Sequence, residues 1–160
     1  HHRDGVIWCV DYVASNRLLP ERLRALLRDE GADMFTAEML NRAAASLAEF
    51  DRLAAEPFVV FFEPPSLDDR IVNQFALFSL LSSNAVRLDH WLAAQPGVGR
   101  KLVIPAELQR EVRDKLDQAN VTERVLFPGL DGLSMWLQRY YTPTRPDGSD
   151  QDQNAPTGPL

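Results

Sequence analysis

The stretch "PFVVFFEPP", Pro57 to Pro65, constrains this chain more than any other. Phe58 to Phe62 is too short for a helix, is rich in aromatic and β-branched residues, and is bounded by prolines. That combination predicts a central strand, ended by Pro64-Pro65 because proline cannot donate to a ladder. Five consecutive apolar residues leave the strand no polar face, and a chain that is only part of a domain is expected to leave this run, like Val6–Val10, without one covering layer.

Helical periodicity accounts for much of the rest of the chain. In "LLPERLRALLRDEGA", Leu19, Leu23, Leu26 and Leu27 fall at helical spacing, with Pro20 suited to the first turn and Gly31 to the stop. "TAEMLNRAAASLAEFDRLAAE" predicts one long helix capped by Thr36, with an apolar stripe of Leu40, Ala44, Leu47, Phe50 and Ala54. "VRLDHWLAA" predicts a short helix. "AELQREVRDKLDQAN", opened by Pro105, predicts another that turns Leu108, Val112 and Leu116 inward, stops at Asn120 and pairs Glu111 with Lys115. The last, in "LFPGLDGLSMWLQRYY", is capped by Asp131 and presents Leu133, Leu137, Tyr140 and Tyr141 on one face. Further strands are expected at Val6–Val10, buried on both faces, at Phe75–Leu80, and in "RKLVIP". The expectation is a single α+β domain of about four strands and about five helices over residues 1–141, with one small sheet. A disordered tail follows over 142–160, where aromatics are absent and Pro, Gly, Asp and Gln dominate.

Charge and cysteine usage narrow the function classes. The 17 basic residues are outnumbered by 23 acidic ones and are scattered, so no nucleic-acid partner is expected. No apolar run approaches the ~20 residues that span a bilayer, so no membrane partner is expected, and the opening residues show no signal-peptide pattern. The single cysteine, Cys9, fits a reducing compartment, which predicts a cytoplasmic location. Its apolar neighbours predict a buried structural thiol. His1 and His2 have no second ligand cluster near them, so no metal is expected.

The candidate site lies in "DDRIVNQFALFSLL", where a polar cluster runs into apolar residues. Two readings stand side by side for each residue. Arg70 pairs with Asp68 or Asp69 or lies over the core, or it grips a ligand phosphate or carboxylate. Gln74 satisfies backbone groups where a turn meets a strand, or it orients a ribose hydroxyl or a water in a catalytic role. Asn73 reads as a turn residue or a ligand contact. Glu63, where the central strand emerges, is a solubilising strand end or a carboxylate placed for chemistry. His90 has no serine or cysteine partner in evidence, and Trp8 and Trp136 read as core or contact residues.

Three blocks in order, "DGVIWCVD", "DDRIVNQFALFSL" and "KLVIPAELQREVRDKLDQANVTERVLFPGLDGL", resemble the FRG domain family. The family's spaced Arg, Gln and Phe pattern falls on Arg70, Gln74 and Phe78, and its "F-P-x-L-D-G-L" turn on Phe127, Pro128, Leu130, Asp131, Gly132 and Leu133. The resemblance spans roughly residues 4 to 141. The family's Phe-Arg-Gly motif and the "L-L-D-W-T"-like segment after it have no counterpart here. The resemblance therefore implies the C-terminal part of such a domain, inactive alone if its site needs the missing arginine. Its partner would be its own missing N-terminal half or a second copy. The family occurs beside bacterial mobile-element and anti-phage genes. By fold-level analogy to ADP-ribosyltransferases it implies an NAD-handling effector of defence or toxin systems, with NAD as the cofactor. The alternative is a non-enzymatic interaction or sensing module.

Overall fold

The structure, a computed structural model, describes residues 3–142. The fold is α+β. Among the described residues the order is β1 (Gly5–Val10), α1 (Tyr12–Asn16), α2 (Glu21–Glu30), β2 (Phe35–Thr36), α3 (Ala37–Ala43), α4 (Leu47–Asp51), β3 (Val59–Glu63), α5 (Asp69–Asn73), β4 (Phe78–Leu81), α6 (Leu88–Ala93), β5 (Gly99–Ile104), a 3-10 turn (Ala106–Leu108), α7 (Gln109–Gln118), α8 (Glu123–Leu126) and α9 (Leu130–Tyr141). His1, His2 and the expected tail beyond Thr142 lie outside the described residues. Thr142 itself closes α9, its N–H donating to the Gln138 carbonyl at 3.0 Å.

β3 is the centre of a three-stranded sheet, parallel to β2 and antiparallel to β4. Its residues divide by the two-residue period of a strand. Phe58, just before it, and Val60 enter a core with Leu19, Leu23, Leu27, Phe35 and Phe50. Val59 enters a second core with Trp91, Leu92 and Val98. The apolar run is thus covered on both sides by different parts of the chain, against the expectation of a missing layer. Ser82 extends the β3–β4 ladder by one residue: its N–H donates to the Phe58 carbonyl and its Oγ accepts the Phe58 N–H, both at 3.0 Å. That pairing satisfies a buried hydroxyl that would otherwise be costly.

The first core rests on helix punctuation that the chain states locally. Pro20 precedes α2 and Gly31 ends it in the left-handed region, φ 60. Thr36 Oγ1 accepts the Met39 N–H and starts α3. The single helix expected from Thr36 onward is broken after Ala43. Ser46 Oγ accepts the Glu49 N–H, and the Glu49 carboxylate accepts the Ala45 N–H, so a capping pair inside the run starts α4 afresh. β2, only two residues long, gives no period to detect and is the strand the sequence reading lacks.

β1 departs from expectation. It pairs with β5 in a separate two-stranded antiparallel ribbon, from Gly5↔Ile104 to Val10↔Gly99. Trp8 and Val10 pack on the second core. Val6, Ile7 and Cys9 are exposed, so the strand is not buried on both faces and the thiol is not a core group. Leu108 of the 3-10 turn and Leu116 of α7 are likewise exposed, while Val112 between them is half-buried, so the expected inward stripe is only partly covered. Leu133, Leu137, Tyr140 and Tyr141 of α9 are exposed as well. Asp131 sits in the first turn of α9 with no capping bond; the cap position is Gly129, φ 102 and ψ −170, a conformation that favours glycine.

Candidate functional site

The polar cluster of the opening motif folds as α5 and its flanks. Asp68 Oδ1 accepts the Arg70 N–H at 2.7 Å and caps the helix, which ends at Gln74. Phe75 then takes a positive φ of 48, and the Ala76 N–H returns to the Ile71 carbonyl at 3.0 Å. This reversal delays β4 to Phe78, three residues later than the apolar run suggests.

Arg70 and Gln74 face the same neighbour. The Arg70 guanidinium lies 5.1 Å from the centre of the Phe127 ring. Gln74 Nε2 donates to the Leu126 carbonyl at 2.9 Å, across 52 residues of chain. The two motif blocks therefore dock on each other: the first supplies a cation and an amide, the second an aromatic face and the last carbonyl of α8, which its own helix leaves without an acceptor role. Asn73 is half-buried at the end of α5 and makes no side-chain hydrogen bond among the described residues. If Gln74 is a tether, Gln74→Ala should destabilise the chain by about 1 kcal/mol and speed amide exchange in α8 and α9. Chemical denaturation with hydrogen-exchange mass spectrometry measures both. Unchanged stability and exchange would leave the amide free for a ligand role.

Glu63 belongs to a different surface. It is exposed at the end of β3 and borders a groove of about 550 Å³ between α1, the β3 end and the α5–β4 reversal. Tyr12, Met34, Ile71, Phe75 and Leu77 shape that groove. Phe75 is 91% exposed on its rim, and Val72 and Leu77 are about half exposed beside it. The groove is mostly apolar with one carboxylate, and Arg70, Asn73 and Gln74 do not line it. The four candidate residues thus fall into two places, with Glu63 apart from the α5–α8 contact.

No protein-family model, no curated protein and no solved structure matches this chain. The geometry alone therefore carries the functional reading. Among the described residues, no group of three or more His, Cys, Asp or Glu side chains is gathered to hold a metal ion, and no helix is long and apolar enough to cross a membrane.

The strongest electrostatic feature lies elsewhere. Arg139 of α9 grips Asp117 at the end of α7 through two bonds, 2.6 and 2.8 Å, and Glu123 at the start of α8 through two more, 2.6 and 2.7 Å. Hydrogen bonding to the guanidinium holds both carboxyls below their ordinary range and raises the arginine further. Arg124 lies 4.6 Å from the Trp136 ring centre and adds a second link between α8 and α9. The sequence reading missed this clamp, whose members are 16 and 22 residues apart and share no local pattern.

Proposed function

We propose that the chain is FRG-like and serves as an interaction module, with the groove beside Phe75 as its contact surface and a second copy of the chain as its first partner. Phe75 carries the reading. A non-glycine residue at positive φ is strained by about 1–3 kcal/mol, and such strain persists where a site requires it. Here it holds an aromatic ring almost fully in water, on the rim of an apolar groove. Exposed apolar patches of this kind drive association, and aromatic residues serve as anchors at interfaces.

A second reading rests on Glu63. A carboxylate at a strand end, lining a groove with Tyr12, suits an NAD-handling, ADP-ribosyltransferase-like effector of bacterial or phage defence, in which it would stabilise positive charge developing on a ribose. Two measurements separate the readings. Sedimentation equilibrium should show a dimer that Phe75→Ser converts to monomer with no loss of thermal stability. A wild-type monomer at high protein concentration would overturn self-association through the groove. NAD consumption that is abolished by Glu63→Gln would put the enzymatic reading first.

A further inference from the structure

α1, α2 and the loop after α2 border an open surface depression of about 410 Å³, within the size range of small-molecule sites. Val13 and Leu27 give it an apolar part, and Arg17, Arg24 and Arg28 also line it. Arg24 and Arg28 share a single carboxylate, Glu21, at 2.8 and 2.6 Å. Arg17 is exposed and makes no ion pair among the described residues, and the buried Nε of Arg24 has no hydrogen-bond partner there. Asp33 also borders the depression. Three cations against Glu21 and Asp33 leave an excess of positive charge and of unused donors.

Helix-end electrostatics do not account for this grouping. Arginines often gather at helix C-termini to offset the dipole and meet free carbonyls. The end of α2 is already closed by backbone: the Gly31 N–H donates to Arg28 at 3.1 Å and the Ala32 N–H to Leu27 at 3.0 Å. Asn16 Nδ2 further pins the loop by donating to the Asp33 carbonyl at 2.7 Å. Glu21 of the same helix holds Arg24 and Arg28, which leaves Arg17 and the Arg24 Nε without a partner among the described residues.

We propose that this depression binds a small phosphomonoester of mononucleotide size or less, its phosphate held by Arg17, Arg24 and Arg28 and its apolar part resting on Val13 and Leu27. Arginine suits this ligand because its planar fork matches phosphate oxygens in pairs. Glu21 would be the competing anion that keeps two of the three arginines in place when the site is empty.

Titration calorimetry of the full chain with AMP, inorganic phosphate and adenosine, at matched ionic strength, tests the proposal. AMP should bind more tightly than phosphate, and adenosine should not bind measurably. Arg17→Gln, a surface change that removes no ion pair, should weaken AMP by about tenfold and leave the melting temperature without ligand unchanged. Glu21→Gln should strengthen AMP binding, an outcome that purely structural arginines would not produce. Absence of AMP binding, equal affinity for AMP and adenosine, or an Arg17→Gln affinity equal to wild type would each overturn it.

Discussion

Gly132→Ala should destabilise the chain by about 3 kcal/mol or more, the upper end of what overpacking costs. On propensity alone the change should help, since alanine is better than glycine inside a helix by about 1 kcal/mol. Packing decides against it. Gly132 is buried in the first turns of α9, and a Cβ there would lie 1.8 Å from the Phe127 carbonyl oxygen and 2.7 Å from that of Glu123. Both atoms are backbone, so no side-chain rotation relieves the overlap, and α8 would have to separate from α9. Urea denaturation of Gly132→Ala beside Gly97→Ala gives the comparison. Gly97 has no heavy atom within 4 Å of its would-be Cβ, so that control should stay within about 0.5 kcal/mol of wild type. Equal midpoints for the two variants would mean that the helices are not in backbone contact.

Arg139→Met should give the second large effect, a loss of about 1–3 kcal/mol. The clamp ties α7, α8 and α9 together in a region where α7 and α8 bury no side chain. Partial exposure of all three groups places the loss toward the lower end of that range through solvent screening. Its removal also leaves Asp117 and Glu123 as unpaired like charges. The pH dependence has a definite sign. Both carboxyls are held below their ordinary values in the folded chain. Their contribution is therefore present above the unfolded values near pH 4 and is lost as pH falls through the lower folded ones. Wild type should lose stability more steeply than Arg139→Met between about pH 5 and pH 3. Parallel curves in thermal melts across that window would show that the clamp contributes nothing to stability.

How far the sequence anticipates these features depends on how local their causes are. Thr36 and Gly31 act within one helical turn and stand where the local signal put them, and Pro20 stands one residue ahead of the first turn. Glu111 and Lys115 meet at 2.6 Å because four residues make one turn. The break between α3 and α4 was also written locally, in Ser46 and Glu49, but the continuous apolar stripe around it outweighed that short signal. Among the candidate residues, the strand-end placement of Glu63 was legible. That Gln74 reaches Leu126, while Glu63 faces a separate groove, follows from the path of the chain between them.

Local punctuation, the α+β class and the central strand were determined by the sequence itself, because proline, glycine, cap residues and side-chain periodicity act on the backbone within a few residues. Tertiary structure alone decided which apolar faces found a partner. Phe58 and Val59 resemble Val6 and Ile7 in composition, yet the first pair is buried in two cores and the second lies half in water on a two-stranded ribbon. It also made Gly132 a contact between helices, turned Phe75 outward and brought Asp117, Glu123 and Arg139 together. Burial and ion pairing depend on what distant segments place opposite a residue, and periodicity specifies a face without specifying what covers it.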